Sequence, residues 1–260
     1  MKYREALQLW LDRLSMRSAL NDHERDAILT LPCDMIEVSA NRDFVRLGDQ
    51  TTHACLVAEG LVGRFAQTAD GARQITALHI PGDMVDLHSV VAPAATSALQ
   101  AIGRATVVRV PHAALTRTAS AFPALGRAFW RDCVVDAAIL ATWVINVGHR
   151  PASARVAHLI CEMAVRYAAI GLAQGRNFPF LLTQSQLGET TGMTSVHVNR
   201  MIAQLREQSV LTWGSRIVEI LDWHGLRTLA GFDPLYLSLP DDLLRRIYAA
   251  FGANRQMTAA

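Results

Sequence analysis

The feature that most constrains the fold is a change of sequence period near residue 120. Between Val38 and Val110, turn signals recur roughly every 11 residues and separate short apolar runs, a pattern typical of an antiparallel barrel or sandwich. The turn signals are Leu47-Gly48-Asp49, Glu59-Gly60, Asp70-Gly71 and Pro81-Gly82-Asp83, and the runs include Cys55-Leu56-Val57, Ile75-Thr76-Ala77-Leu78 and Ala105 to Val110. We therefore expect an all-β domain in residues 1–119. It should begin with helices over residues 1–31, the second of them capped by Asn21.

From Ser120 the pattern becomes helical. Mostly apolar residues follow an alternating four-three spacing, which on a long helix favours packing against an identical helix. The positions are Phe122, Gly126, Phe129, Cys133, Asp136, Leu140, Trp143 and Val147. We interpret residues 120–150 as a dimerisation helix with a hinge at His149-Arg150-Pro151, because proline removes a helical hydrogen-bond donor. The alternative is that this face packs on the β domain of its own chain.

Two short helical segments separated by a glycine follow within residues 151–225. Thr183 is expected to cap the first helix, which ends near Thr191, and Thr194 to cap the second. Gly192 supplies the tight turn between them, because only glycine enters the left-handed backbone region at low cost. The order of these signals predicts a helix-turn-helix. Its second helix should bury one apolar stripe, formed by Val198, Met201, Ile202 and Leu205.

The opposite face of the second helix carries polar side chains suited to base pairs. It consists of Ser195, His197, Asn199, Arg200 and Gln204. Arginine can donate two hydrogen bonds to guanine, and asparagine can pair with adenine. A β-hairpin between Val210 and Leu221, turning at Gly214-Ser215, is expected to form a wing beside the DNA backbone. The alternative is a helical hairpin that only packs or contacts other proteins.

Composition indicates where the protein is expected in the cell and where its affinity for DNA would come from. With 260 residues, 51% of them hydrophobic, the chain can bury a sizeable core and is expected to hold two domains. The net charge is only +2, so affinity would come from placed phosphate contacts rather than from a broad positive surface. The chain lacks an apolar run long enough to span a membrane and an apolar signal core. Its four cysteines are far apart, as in a reducing compartment. We expect a cytoplasmic protein with no membrane partner.

In the order of its motifs, the chain resembles the CRP/FNR family, the catabolite activator protein and its relatives. The resemblance spans residues 20–225. It depends on Glu59-Gly60-Leu61-Val62, Asp70-Gly71-Ala72-Arg73-Gln74, Pro81-Gly82-Asp83 and the winged helix-turn-helix. It implies an α+β fold: an N-terminal cyclic-nucleotide-binding-like β-roll (a double-stranded antiparallel jelly roll), a long dimerisation helix and a C-terminal winged helix-turn-helix. The segments Asp222 to Leu226 and Phe232 to Tyr236 resemble those of a subgroup with an extra helical tail, expected here over residues 226–260.

The resemblance also implies roles for individual residues. By position, the first helix would contact phosphate, Thr194 would cap the second helix, and the second helix would read bases. The predicted DNA-binding set is Thr183, Gln184, Ser185, Thr194, Ser195, Val196, His197, Asn199, Arg200 and Arg216. Many family members have glutamate where this chain has Val196, and valine cannot accept a hydrogen bond from cytosine, so the operator sequence is left open. The implied partners are double-stranded DNA, a second copy of the chain and RNA polymerase.

The sensor region departs from the pattern of the cyclic-nucleotide-binding relatives. Those proteins have a Gly-Glu pair after Pro-Gly-Asp, and an Arg-Ser or Arg-Thr pair that holds the phosphate. Here Asp86-Leu87 and Thr96-Ser97 take those places. Without that arginine the pocket is expected to lack a cation, and Asp86 would repel a phosphodiester, so we expect no cyclic AMP binding. The first 32 residues contain no cysteine, so we expect no iron–sulfur cluster either.

Haem and redox sensing are the alternatives left open for the effector. His79, His88 and Cys55 lie in the β domain, although a single histidine on a strand is more often structural than a haem ligand. Oxidation of Cys133 could alter helix packing, but a small apolar residue in a helix interface is the favoured interpretation. No effector-binding residue, metal ligand or cofactor is assigned from the sequence.

Two functions of other classes compete with DNA binding. A cupin-like metal-dependent enzyme would need clustered histidines and carboxylates, and His53, His79 and His88 are not spaced for such a site, so we predict no catalytic residue. A protein-bridging module would use the helix seam and apolar residues of the C-terminal tail. Those tail residues are Leu243, Leu244, Ile247, Tyr248 and Phe251.

Overall fold

The computed structural model describes residues 3–252. The chain divides into two compact units, Met1–Ala141 and Thr142–Ala260, called here the N-terminal unit and the C-terminal unit. Of the predicted tail, residues 253–260 lie outside the described residues, as do residues 1 and 2 of the predicted N-terminal helices. Within residues 3–252, no helix is both long enough and apolar enough to cross a membrane.

The N-terminal unit begins with two helices, α1 (Tyr3–Arg17) and α2 (Asp22–Leu29). Asn21 caps α2 as predicted: its side chain accepts a hydrogen bond from the backbone N–H of Glu24 at 3.0 Å, and the Glu24 carboxylate accepts one from the Asn21 N–H at 2.8 Å. This reciprocal capping box satisfies two backbone donors that the helix cannot use itself.

Seven strands form the predicted β-roll from two antiparallel sheets. The strands are β1 (Asp34–Val38), β2 (Asp43–Val45), β3 (His53–Glu59), β4 (Val62–Gln67), β5 (Arg73–His79), β6 (Ala98–Ala101) and β7 (Ala105–Pro111). One sheet has the order β1-β7-β3 and the other β2-β6-β4-β5. The spacing of the turn signals therefore predicted the architecture correctly.

The three-stranded sheet is buried on both faces. In β3, Cys55 and Val57 belong to the core shared by the two sheets. Ala54, Leu56 and Ala58 point the other way, into a second core with α1 and α2. Successive side chains of a strand alternate between faces, so β3 reads as a continuous apolar run because each face has its own cover.

Two further helices complete this part of the chain. They are α3 (His112–Ala121) and α4 (Pro123–His149), and a short 3-10 helix (Leu87–Val90) follows the Pro-Gly-Asp turn. The sequence analysis missed α3, since it buries little more than Ala114 and Leu115 and so lacks a long apolar period.

The predicted seam on α4 is only partly covered by its own chain. Of the predicted positions, Phe129 and Trp143 are buried and Leu140 is 39% exposed. Phe129 stacks on Trp10 of α1 at 5.2 Å between ring centroids. The exposed stripe lies one residue further along. It consists of Trp130, Val134, Ala137, Ala141, Val144 and Gly148. The helix has two adjacent apolar faces, both with four-three spacing, and spacing alone could not tell which one its own chain covers.

The C-terminal unit is built around one helix, α5 (Ala152–Ala169), which is buried along most of its length. The elements around it are β8 (Asn177–Pro179), α6 (Gln184–Thr191), α7 (Ser195–Glu207), β9 (Leu211–Gly214), β10 (Ile217–Ile220), α8 (Trp223–Ala230), a 3-10 helix (Pro234–Leu237) and α9 (Asp241–Gly252). The strands form one sheet in the order β8-β10-β9, and α6 to α9 all pack on α5.

The turn between β3 and β4 provides a test of the β-roll. Gly60 has a φ of +89°, and a Cβ there would lie 2.6 Å from the Arg104 carbonyl oxygen. Gly71 has a similar φ of +91° but open space, its nearest neighbour being the Gln67 amide at 3.8 Å. We expect Gly71→Ala to lower the free energy of unfolding by about 1 kcal/mol through backbone strain alone. Gly60→Ala should cost at least about 1 kcal/mol more, because a backbone atom must move.

Urea unfolding of both variants checks this, with Gly71→Ala as the matched control. Equal losses in the two variants would mean that the β3–β4 turn does not approach Arg104 as closely as the structure has it.

Candidate nucleic-acid interface and effector cavity

The helix-turn-helix is held by caps at both helix starts. Thr183 Oγ1 accepts a hydrogen bond from the Gln186 N–H at 3.2 Å, and the Gln186 side chain accepts one from the Thr183 N–H at 2.9 Å. Thr194 caps α7 through the His197 N–H at 3.3 Å. Gly192 ends α6 with a φ of +67°, as predicted. Both caps and the turn therefore lie where the sequence analysis expected them.

Helix α7 has one buried face and one exposed face. The predicted stripe is buried, which fixes the opposite stripe toward solvent. The exposed positions include Ser195, Val196, Asn199, Arg200 and Ala203, and Val196 is 79% exposed. Across residues 3–252, the side chains of Asn199 and Arg200 have no protein hydrogen bond or ion pair. Two predicted members of this face, His197 and Gln204, are half-buried at its edges.

The polar ends of α6 and α7 point to solvent. Thr183, Gln184 and Ser185 are exposed at the start of α6, and Thr194 and Ser195 at the start of α7. Backbone N–H groups at a helix N-terminus have no intrahelical partner and carry partial positive charge. This is the arrangement that favours anions such as phosphate.

The predicted wing is formed by β9 and β10, but its turn is one residue later than expected. Gly214 ends β9 and pairs with Ile217, and the turn residues are Ser215 and Arg216, with φ of 51° and 63°. Arg216 is therefore an exposed side chain at the tip. Two positive φ values at the centre of a two-residue loop give the type I′ geometry that matches strand twist. Glycine is favoured in such turns, which is why Gly214 misled the sequence prediction.

A cavity of about 430 Å³ lies in the N-terminal unit between the β-roll and α4. Its lining includes Arg64, His88, Thr96, Ser97, Cys133 and Asp136. A volume of this size accommodates a small organic molecule.

The expectation that this cavity lacks a cation was wrong. Arg64 from β4 is buried and lines it. Its guanidinium contacts the Asp136 carboxylate of α4 at 3.0 Å and donates to the Val85 carbonyl oxygen. Its Nε has no hydrogen-bond partner in the described part of the chain. Two sequence signals were available. Arg64 is a charged residue on an otherwise apolar strand, and Asp136 is the one acid of the predicted helix seam.

Asp86 does not line this cavity but lines a smaller neighbouring pocket that shares Arg64 and His88 with it. The carboxylate is buried and accepts a hydrogen bond from the Cys55 N–H at 2.6 Å. Burial raises the pKa of Asp86 to about 6, although the Cys55 N–H and the Arg64 charge oppose this rise. The carboxylate is therefore mostly ionised at neutral pH, and its charge weakens the field of Arg64.

The side chains named for haem or redox sensing have specific surroundings. Cys55 and His79 are buried, and His79 lies 4.0 Å from the Asp83 carboxylate. Burial, with smaller contributions from Asp132 and Asp136, raises the pKa of the Cys133 thiol to about 11, so it is protonated at neutral pH and a poor nucleophile. Among residues 3–252, no three His, Cys, Asp or Glu side chains are grouped so that they could hold a metal ion.

Two regions of the chain match known domain families. Residues 35–121 match the cyclic nucleotide-binding domain. Residues 154–229 match the Crp-like helix-turn-helix domain. The first region contains the β-roll and the second contains α6, α7 and the wing, so the two matches coincide with the cavity and the exposed α7 face.

Several whole proteins are similar to this chain along most of their length. The anaerobic regulatory protein of Haemophilus influenzae is 22% identical over 229 residues, which cover 88% of this chain and 89% of that protein. The fumarate and nitrate reduction regulatory protein of Vibrio cholerae is 21% identical over 221 residues, covering 85% and 88%. The solved structure of FixK2 from Bradyrhizobium japonicum has the same fold, with a TM-score of 0.72 and 24% identity over 78% of this chain and all of that one.

The buried Asp86 carboxylate makes the stability of the N-terminal unit depend on pH. Its folded pKa of about 6 exceeds the unfolded value of about 3.9. The folded state therefore binds more protons between these values, and stability falls as the pH rises through that window. Asp86→Asn has no charge to bury. Its free energy of unfolding relative to the wild type should therefore rise by about 2 kcal/mol from pH 4 to pH 7.

Denaturant unfolding at a series of pH values measures this difference. An advantage that stays constant across the window would show that Asp86 titrates normally.

Proposed function

We infer that this chain, which is a DNA-binding transcription regulator of the CRP/FNR type, acts as a homodimer on an inverted-repeat operator. The observation that carries the inference is the exposed α7 stripe, where Asn199 and Arg200 extend from a capped helix and make no hydrogen bond or ion pair with residues 3–252. A helix with its apolar face buried and such side chains free is suited to the major groove of DNA.

The chemistry of the stripe suggests which bases it contacts. Arg200 would donate two hydrogen bonds to guanine, and Asn199 could pair with adenine. Val196, which is highly exposed, offers an apolar contact of the kind that the thymine methyl group accepts. The half-site would therefore contain a guanine and favour thymine over cytosine opposite Val196.

Phosphate contacts would come from the helix starts and the wing. Thr183, Gln184 and Ser185 on one side and Arg216 on the other are exposed. Because the net charge of the chain is only +2, a few placed contacts, doubled by twofold symmetry, would supply the electrostatic part of the affinity.

The exposed stripe on α4 supports the dimer. Trp130, Val134 and Val144 are 74%, 66% and 63% exposed, and they lie on the same four-three repeat with Ala137, Ala141 and Gly148. Such a row on one long helix is buried when two copies pair along it. A second copy of the chain is therefore the partner that this face fits.

The cavity would receive the effector that regulates DNA binding. Arg64 already binds Asp136 of α4, so a ligand that competes for either group changes what holds this helix to the β-roll. A cyclic phosphodiester would compete with Asp136 for Arg64 while facing the charge of Asp86, which disfavours it. RNA polymerase is the further partner proposed, because a regulator bound at a promoter acts by assisting or blocking it.

Arg200→Ala tests the base-contacting role. Loss of one bidentate contact per half-site, at about 1–3 kcal/mol each, should weaken operator binding about 30-fold or more without changing dimerisation. The operator is first identified by selection of bound sequences from random DNA, and affinity is measured by fluorescence anisotropy at fixed salt.

Arg245→Ala is the matched control, since it removes the same charge from the exposed face of α9. It should leave affinity within about twofold. Retention of full operator affinity by Arg200→Ala would exclude α7 as the reading helix and favour a protein-bridging module.

Ala141→Glu tests the dimer face. A carboxylate in the middle of the apolar stripe is costly to bury, so the variant should sediment as a monomer and lose at least about 100-fold in operator affinity, because the two half-sites no longer bind jointly. Ala249→Glu makes the same change on the exposed face of α9 and should remain dimeric. A dimeric Ala141→Glu protein would mean that another surface pairs the two copies.

A further inference from the structure

We propose that Glu162 is a positioning residue. Together with Tyr236 of the C-terminal tail, it clamps the last two turns of α4 to the DNA-binding domain. This clamp sets the half-site spacing that the dimer recognises. The inference depends on the proposed function, since spacing has meaning only for a dimer on two half-sites. It assigns a role to the tail segment after residue 229, which lies beyond the matched helix-turn-helix domain.

The clamp is a buried carboxylate with donors from three elements. Glu162, on α5, is 0% exposed. Its Oε2 accepts hydrogen bonds from Trp143 Nε1 of α4 at 2.9 Å and from the Tyr236 hydroxyl at 2.8 Å. Its Oε1 accepts one from Arg166 at 3.0 Å. Arg166 supplies the opposite charge, and the two aromatic donors attach α4 and the tail.

The burial of this carboxylate makes the attachment strong. A buried charge is stable only when its lone pairs are satisfied, so the loss of one donor costs far more than the loss of a surface hydrogen bond. Movement of Trp143 away from α5 would remove one of these donors from a fully buried carboxylate. The two elements that reach Glu162 are therefore held in one geometry.

Other contacts hold the same end of α4 within the C-terminal unit. The Asn146 side chain donates to the Arg155 carbonyl oxygen at 3.2 Å. Val147 lies against the turn of the helix-turn-helix, where a Cβ on Gly192 would come within 2.7 Å of its Cγ1. The segment from Thr142 to His149 thus packs with the DNA-binding domain, although it continues the helix that carries the proposed dimer stripe.

These contacts move the expected pivot away from the proline. Pro151 was predicted to provide a hinge, but bending there would break the Trp143 and Asn146 hydrogen bonds. Helix α4 runs unbroken from Pro123 to His149, so the residues that the clamp holds belong to the same helix as the proposed dimer stripe. The angle between the dimer stripe and α7 then depends on how firmly the clamp holds the end of α4.

Aromatic contacts of the tail position the Tyr236 hydroxyl beside Glu162. The buried His158 ring stacks on Tyr236 at 6.0 Å and meets the edge of Phe232 at 5.3 Å. Burial, assisted by the Arg150 charge, lowers the pKa of His158 to about 3, so this ring is neutral and packs as an aromatic. The tail therefore sets the position of Tyr236 through its rings.

Tyr236→Phe tests the clamp, because it removes the hydroxyl and keeps the ring. The DNA probes are the selected inverted repeat, the same repeat with its half-sites moved one base pair closer or further apart, and a duplex with one half-site scrambled. We expect the variant to lose about tenfold in affinity for the preferred spacing and much of its discrimination among spacings. Its affinity for the duplex with one intact half-site should stay within twofold of the wild type.

Tyr248→Phe is the matched control. It makes the same change in the same tail, at a hydroxyl that has no hydrogen-bond partner in the part of the chain that the structure describes, and should leave spacing preference and affinity unchanged. Trp143→Phe removes the α4 donor from the other side of Glu162 and should reproduce the Tyr236→Phe result, so a Tyr236→Phe protein that fails to fold does not end the test.

Two outcomes would overturn the inference. One is a clamp variant that keeps the wild-type spacing preference and full-operator affinity. The other is an equal loss of affinity for every duplex, including the one with a scrambled half-site. That result would mean that Glu162 contributes only to the stability of the domain. A wild-type protein that binds no inverted repeat would instead contradict the proposed function, which distinguishes the two failures.

Discussion

Helix α4 has two neighbouring apolar faces, and its own chain covers only one of them. The covered face fixes α4 against α1 through Phe129 and Trp10. The other face, from Trp130 to Gly148, is left to solvent in a single copy. Burial of apolar surface is the main driving force for association, so the same packing that completes the N-terminal unit also prepares the surface that a second copy would cover.

Helix α7, like α4, has one face that its own chain covers and one that stays exposed. The apolar stripe of α7 is buried, and that burial orients Asn199 and Arg200 outward although their side chains make no hydrogen bond or ion pair within the described part of the chain. Side chains free of protein partners need not break existing hydrogen bonds before they contact a base. The helix is therefore ready for DNA because its apolar side is occupied.

Much of this fold followed from local signals that act within a few residues. Thr183, Thr194 and Asn21 were predictable as caps because a cap is defined by its own side chain and the next three backbone donors. Gly192 was predictable for the same local reason. The register of the α4 stripe was not, since it depends on where α1 lies, more than 100 residues away in sequence. Arg64 in the cavity was missed likewise, because its partner Asp136 is distant in sequence and belongs to a helix.

Strand β3 belongs to two hydrophobic cores at once, with alternate side chains in each. Neither core can be opened without exposing one face of the strand. The helices α1 and α2 and the β-roll should therefore unfold together rather than one after the other. The backbone amides of β3 and its neighbour β7 are then the slowest to exchange with solvent, since only complete unfolding of the N-terminal unit releases them.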